Sequence, residues 1–366
     1  MNNKNILFIN TGVIWGGVEG WHYKTSKELA KRGYNVYILA AKDTPFYNEC
    51  KKENLKVDTI NIIGNGTFLN LFKVLSLKKY LINNKIDVMF FCQSSHFKFA
   101  SLAGFLAGVE KIIYRRALAN PINNHLYNRI ALKNFITHFM AISETTLSKS
   151  IQNLPENFIN KKIRLIYNGV RKDDFLDPKI ESNLREEFSI NRDDILIANI
   201  GRLCHQKSQQ DLLKALYHVK RKTKKFKVLF VGSGDKVDEY KKLTKELDLK
   251  ENVIFTGFRK DIPSILSQID FVVHTALYEG CPWIVLETMA SGKPIVAVDI
   301  PSIRELVLDG KTGYLSLRNK DELAENIFRM IRNKDKEKMG EKARSIFKDK
   351  YTFELMINKI EDYFLS

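Results

Sequence analysis

The chain has 366 residues, of which 44% are hydrophobic and 28% charged, a composition typical of a folded globular protein and a length that suits two domains better than one core. Its formal net charge of +17 is uneven: residues 1–170 carry 23 Lys and Arg against 10 Asp and Glu, whereas residues 171–366 carry 36 against 32. No apolar run approaches the length of a membrane span, and Cys50, Cys92, Cys204 and Cys281 lie too far apart for a zinc motif or a disulfide framework, which points to a reducing compartment.

In chain order, the short apolar run Ile6-Leu7-Phe8-Ile9 ends in Asn10-Thr11-Gly12 and reads as a first strand rather than a signal peptide, so a cytoplasmic protein is expected. Strands are predicted at 5–10, 35–40, 87–92, 111–114, 139–142 and 164–167, with helices at 18–32 and around 69–83 between them. Alternation of this kind implies a parallel sheet covered by helices. Asn168-Gly169-Val170 followed by Asp173-Asp174-Phe175 reads as a break, after which the pattern restarts. Strands are predicted at 194–200, 227–231, 253–255, 271–274 and 294–298, and helices at 208–222 and 237–247. The expected fold class is α/β, two doubly wound Rossmann-like domains facing across a cleft, with ligands at the carboxyl ends of the strands. The boundaries read as 1–170 for a first domain, 171–350 for a second and 351–366 for a terminal helix.

Three segments carry chemistry. Gly12 through Gly17, with Gly16-Gly17-Val18-Glu19 leading into a helix, has the glycines that let a backbone approach a phosphate. It lacks the G-x-G-x-x-G spacing of a dinucleotide fingerprint, and a plain tight turn is the competing reading. After the strand at 194–200, Gly201-Arg202-Leu203-Cys204-His205-Gln206-Lys207 places a guanidinium and an ammonium at a helix entrance, a pairing suited to two phosphates, although any Arg and Lys pair can be ordinary surface charge. In Tyr278-Glu279-Gly280-Cys281-Pro282-Trp283-Ile284, a helix begins at the end of a strand. Its unpaired N–H groups suit an anion such as a diphosphate, while Glu279 and Glu287 can accept hydrogen bonds from hydroxyls. The competing reading leaves Glu287 on a solvated helix face and Glu279 merely ahead of a cap. Cys204 and Cys281, embedded in these two loops, are expected to border the same pocket without serving the chemistry.

Taken in order, Gly16-Gly17-Val18-Glu19, Tyr167-Asn168-Gly169-Val170, Gly201-Arg202-Leu203 with Lys207, Val231-Gly232-Ser233-Gly234, Gly257-Phe258-Arg259, Glu279-Gly280 with Pro282 and Glu287, and Asp309-Gly310-Lys311-Thr312-Gly313-Tyr314 resemble the motifs of the retaining GT-B glycosyltransferases. These belong to the glycogen-synthase and sucrose-synthase-like group, the family 4-like enzymes. The resemblance spans nearly the whole chain. It implies that Arg202 and Lys207 bind the diphosphate of a nucleotide-sugar donor, that Glu279 contacts the donor sugar and that Glu287 contacts the ribose. It further implies that Gly16 and Gly17 approach the donor from the first domain, that Phe258 and Arg259 flank the base, and that Gly232, Gly257 and Gly280 through Ile284 line the donor site. The last helix would cross back to the first domain.

The family works without a metal ion, and the chain agrees in having no Asp-x-Asp triplet, so no metal and no cofactor are expected. Many relatives carry a histidine just after the fifth strand of the first domain, where this chain has Tyr114-Arg115-Arg116. Arg115 or Arg116 is therefore a candidate for a phosphate on the acceptor or donor, and His96 for the polar contact to the sugar.

The expected function is retaining transfer from a nucleotide sugar, a UDP-sugar by preference, to a glycan or lipid-linked acceptor in cell-surface polysaccharide or lipopolysaccharide synthesis. A nucleotide-sugar 2-epimerase or a phosphorylase of the same fold is the alternative, although no lysine motif for pyridoxal phosphate is visible. A basic nucleic-acid binder is a remote one, lacking aromatic–basic interleaving and any recognition module. Leu69 through Tyr80 mixes Leu and Phe with Lys, as either an interfacial helix resting on the inner face of an anionic membrane or an ordinary core-facing helix.

Overall fold

A computed structural model describes residues 4–62, 64, 66–154 and 162–366, residue 162 by its backbone only. The chain divides into two compact units: Met1–Asn168 together with Met356–Ser366, and Gly169–Leu355. The break falls between Asn168 and Gly169, within the segment read from the sequence as a boundary.

Unit 1 is built on a seven-stranded parallel sheet of β1 (Asn5–Asn10), β2 (Asn35–Ala40), β3 (Lys56–Thr59), β4 (Val88–Phe91), β5 (Lys111–Arg116), β6 (His138–Ala141) and β7 (Lys162–Leu165), ordered β3-β2-β1-β4-β5-β6-β7. Central strands covered on both faces should read as continuous apolar runs, and β4 (Val-Met-Phe-Phe) is buried at every position. A cluster containing Leu7, Ile9, Met89, Phe91, Ile112 and Tyr114 fills one face against helices Leu71–Asn83 and Ser94–Ala107. Helix Phe353–Leu365 straddles the division. Its second half packs within unit 1, where the Tyr363 hydroxyl donates to the Phe139 carbonyl (3.0 Å) and the Phe364 ring meets Tyr34 edge-on at 5.4 Å.

Unit 2 repeats the plan with six parallel strands, β8 (Ile195–Ile200), β9 (Phe226–Val231), β10 (Val253–Gly257), β11 (Phe271–His274), β12 (Ile295–Val298) and β13 (Gly313–Ser316), ordered β10-β9-β8-β11-β12-β13. Its core gathers Ile197, Phe230, Phe271 and Val296 from the sheet and Leu212, Leu216, Ile327 and Met330 from the helices Gln209–Lys220 and Lys320–Arg332. Among the described residues, no helix is long and apolar enough to cross a membrane.

The two orders share one consequence. In unit 1 the chain winds outward from β1 in one direction and from β4 in the other; in unit 2 it does so from β8 and β11. Loops leaving the carboxyl ends of such a strand pair part company, and the crevice between them is where this architecture receives ligands.

Candidate active site

In unit 2, β8 and β11 pair in parallel, and the loops that follow them are laced together. The Thr275 hydroxyl donates to the Lys207 carbonyl (2.8 Å), the Leu277 N–H to the Gln206 carbonyl (2.9 Å) and the Gln206 amide to the Tyr278 carbonyl (3.0 Å). The framework brings Lys207 and Glu279, 72 residues apart, into an ion pair with Nζ to Oε1 at 2.5 Å. Glu279 is therefore no mere residue ahead of a cap; its carboxylate faces the ammonium at the switch between the two strands.

His274 ends β11 directly behind this pair, buried, with Nε2 3.7 Å from Glu279 Oε1. Burial, aided by the Lys207 charge, holds its pKa well below the ordinary imidazole value. A neutral ring beside the pair leaves the carboxylate one cationic partner instead of two. The sequence reading treated His274 as a strand residue only; a histidine closing an apolar strand five residues before Glu279 was the available signal.

Helix Trp283–Ala290 starts just beyond, with Pro282 at its cap position and no side chain accepting from its first turn. Gly280, Cys281, Pro282 and Ile284 are buried, and Trp283 and Glu287 half-buried, Glu287 eight residues past Glu279 on that helix. Arg202 is exposed, and its carbonyl accepts from the Gln209 side-chain amide (3.1 Å). Cys204 and Cys281 are free thiols and both are buried.

The glycines of the neighbouring turns have an architectural task. Gly232 has φ +143°, and a Cβ there would lie 2.0 Å from the Gly201 carbonyl oxygen, so only glycine lets the turn after β9 press against the loop after β8. The contact continues as a backbone ladder, Gly201 N–H to the Val231 carbonyl (2.9 Å), Leu203 N–H to the Ser233 carbonyl (2.9 Å) and Gly232 N–H to the Gly257 carbonyl (2.8 Å). The Arg202 loop is thereby fixed by backbone on its outer side and by the Lys207 carbonyl on its inner side.

After β10, Phe258 is 68% exposed, a large ring left uncovered. The Arg259 guanidinium forks onto Asp261 (2.8 and 2.6 Å) and reaches Glu187 (2.6 Å) and Ser182 (3.1 Å), which pins the segment 182–187 to the start of helix Ile262–Gln268. Asp261, Glu187 and Ser182 thus fix the guanidinium beside the exposed Phe258 ring.

In unit 1 the loop after β1 folds around a carboxylate. Glu19 is buried, and a Cβ on Gly12 would sit 2.1 Å from its Oε1. Burial raises the Glu19 pKa, while hydrogen bonds from its own backbone, Asn10 and Gly16 oppose the rise. Gly16 and Gly17 are exposed at the head of helix Gly17–Lys31.

His96 and Arg115 are both turned inward, contrary to the expectation that they meet substrate. His96 occupies the first turn of Ser94–Ala107 and points toward β1, where Nε2 lies 2.9 Å from the Thr11 hydroxyl; the ring is fully buried and its pKa is lowered to about 3 by that burial. Arg115 lies within β5, which runs two residues farther than predicted. The face on which it falls sends its guanidinium over the Trp21 ring (4.1 Å) and onto Asn168 Oδ1 (2.8 Å), at 1% exposure. Strand alternation places Arg116 on the opposite face. It lines a cavity of about 590 Å³ at the ends of β4 and β5, with Gln93, Lys98, Asn120, Asn123 and Asn128 among the walls. The amide-rich run Asn120-Pro121-Ile122-Asn123-Asn124 was the sequence signal for this cavity and was not singled out. Among the described residues, no group of three or more His, Cys, Asp or Glu side chains is arranged to hold a metal ion.

Residues 15–174 match the family model described as Glycosyltransferase Family 4, and residues 181–346 match Glycosyl transferases group 1. An uncharacterised glycosyltransferase of Methanocaldococcus jannaschii is 26% identical over 95% of this chain and 94% of its own length. The O-antigen biosynthesis glycosyltransferase WclY of Escherichia coli is 29% identical over 60% of each chain. Among solved structures, Anabaena Alr3699/HepE in complex with UDP and glucose superposes with a TM-score of 0.83 at 22% identity, covering 98% of both chains.

Proposed function

This chain belongs to the GT-B glycosyltransferases that carry a family 4 domain followed by a group 1 domain, and from that premise we propose that it is a retaining enzyme. It moves a sugar from a nucleoside diphosphate sugar, UDP-linked by preference, to a glycan or lipid-linked acceptor in cell-surface polysaccharide synthesis. The observation that carries the reading is the Lys207–Glu279 pair at the β8–β11 switch. One ammonium suited to a diphosphate and one carboxylate suited to sugar hydroxyls stand side by side where the fold receives ligands. The UDP in the Anabaena neighbour and the O-antigen role in the name of the Escherichia coli relative support the donor and the pathway.

In this mechanism the bond from the anomeric carbon to the diphosphate oxygen breaks as the acceptor hydroxyl attacks from the same face. The proton of that hydroxyl passes to the departing diphosphate, so the anomeric configuration is retained. Negative charge grows on the leaving oxygens, and Lys207, the exposed Arg202 and the uncapped entrance of helix Trp283–Ala290 meet it. Glu279 accepts from the donor sugar's hydroxyls, Glu287 from the ribose, and Phe258 offers an exposed ring to the base. Leaving-group charge is neutralised by these groups, and no metal or cofactor has a part.

The test is incubation of the full chain with UDP-, GDP- and ADP-sugars and candidate acceptors, with nucleotide release and the product's anomeric configuration read by NMR. An inverted linkage overturns the retaining assignment, and release of a 2-epimer without acceptor replaces transfer by epimerisation.

The location follows from a surface of unit 1. Leu69, Leu71, Phe72 and Leu75 are 77, 64, 87 and 45% exposed, and Lys73, Lys78 and Lys79 belong to the same helix Leu71–Asn83, on the half of the chain with the greater cationic excess. Exposed apolar side chains on a lysine-bearing helix suit an anionic bilayer. Sedimentation with phosphatidylglycerol vesicles at low salt, release at high salt and loss in Phe72→Asp are expected; binding indifferent to lipid charge and salt refutes this docking.

A further inference from the structure

The cavity at the carboxyl ends of β4 and β5 has an electrostatic imbalance that the transfer chemistry does not use. Arg116 in its wall is 6% exposed, and its guanidinium donates to Ser150 Oγ (3.1 Å), Tyr114 Oη (3.0 Å), the Asn120 carbonyl (2.6 Å) and the Asn120 side-chain oxygen, all of them neutral. No carboxylate pairs with it among the described residues, and the cavity wall contains neither Asp nor Glu. A second cation stands in the same wall. The Lys98 ammonium lies 5.1 Å from the Phe68 ring centre and 5.5 Å from that of Tyr127, likewise with no carboxylate partner among the described residues.

Burying a guanidinium without counter-charge is costly, and an anion entering the cavity offsets that cost. The 14-residue helix Ser94–Ala107 also opens onto this wall through Gln93 and Ser94 with no side-chain cap, which adds positive potential. The wall also suits hydroxyls: the amide side chains Gln93, Asn120, Asn123 and Asn128 line the same cavity, and Asn128 is held by donation from its Nδ2 to the Asn123 carbonyl (2.8 Å).

We infer that this cavity receives the acceptor as an anionic sugar, a saccharide terminus bearing a carboxylate or phosphate. The charge faces Arg116 and Lys98, and the hydroxyls face the amide-lined wall. The inference rests on the glycosyltransferase reading for its word acceptor but not for its binding prediction. About 590 Å³ lies within the range of small-molecule sites.

The experiment titrates the full chain, with and without saturating UDP, with glucuronate, glucose 6-phosphate and glucose, followed by saturation-transfer NMR. At least one of the two anions is expected to bind tenfold or more tightly than glucose, and which one does so identifies the charged group. Lys98→Glu, a half-buried position that leaves Arg116 in place, should weaken anion binding at least fivefold and change glucose binding less than twofold. Equal affinity for glucose and both anions, indifference to Lys98→Glu, or displacement of the anions by UDP overturns the inference. Failure of UDP to bind counts against the donor assignment alone, since anion binding is scored separately.

Discussion

Glu279→Gln separates the two roles of the switch-point pair, because it removes the charge that holds Lys207 while leaving the shape of the side chain. At 2.5 Å, unit charges in an effective dielectric of 20 attract by about 7 kcal/mol before desolvation. With side-chain exposures of 20% for Lys207 and 11% for Glu279, desolvation and solvent screening take back most of this, leaving a net coupling of about 1 to 1.4 kcal/mol. A diphosphate that recruits Lys207 must first overcome that coupling. UDP is therefore expected to bind the Gln variant about five- to tenfold more tightly, the same energy expressed as an affinity. Sugar transfer moves in the opposite direction: losing a charged acceptor for the donor hydroxyls costs about 1.5 to 3 kcal/mol, a drop of roughly ten- to 150-fold in kcat/KM. Lys207→Met should weaken UDP binding and lower turnover by about 2 to 4 kcal/mol of barrier. Calorimetric titration of UDP and initial-rate assays on both variants decide the matter. If Glu279→Gln weakens UDP as Lys207→Met does, the two residues do not compete as described.

His22 and His96 are buried with pKa lowered to about 3, so both are neutral when folded and take up protons on unfolding below about pH 6.5. Stability is thus fully present above that pH and falls as the solution is acidified toward 3, by up to roughly 1.4 kcal/mol per pH unit for each ring. Urea unfolding at pH 7 and pH 5 should show this loss, and a His22→Gln/His96→Gln variant with an unchanged pH slope would contradict it. Gly232→Ala places a Cβ 2.0 Å from a carbonyl oxygen at φ +143°; a loss of more than about 2 kcal/mol is expected, and unaltered thermal unfolding would dismiss the close-approach argument. Saturating EDTA should leave transfer unaffected, since the leaving charge is assigned to side chains and a helix end; abolition restored by Mg²⁺ would reverse that assignment.

The parallel-sheet architecture was legible because its strands are apolar runs punctuated by turn residues. The first two, at 5–10 and 35–40, agree with β1 and β2 residue for residue. Less legible were the short edge strand β3, whose Lys-Val-Asp-Thr is mostly exposed and carries no apolar pattern, and helix Pro45–Lys52, although Thr44 and Pro45 are an ordinary helix start. At the switch of unit 2, motif spacing singled out Lys207 and Glu279, yet spacing alone cannot say that they meet, because the chain between these positions, 72 apart, contributes through three-dimensional strand order. His96 and Arg115 were misjudged for a related reason. Residue type announces chemistry, but which side of a strand or helix faces the core is settled by packing partners such as Thr11 and Trp21. The same uncertainty hid Arg116's partners, which lie 2, 4 and 34 residues away.

The return of residues 356–366 to unit 1 bears on the order of events during synthesis. As the nascent polypeptide leaves the ribosome, Tyr34, Phe90 and Phe139 emerge early, whereas Tyr363 and Phe364, which cover them, are made only after the whole of unit 2. Unit 2, contiguous from Gly169 to Leu355, can mature while its predecessor still waits for residues 356–366. A premature stop codon just after Leu355 would therefore injure the half of the protein translated first.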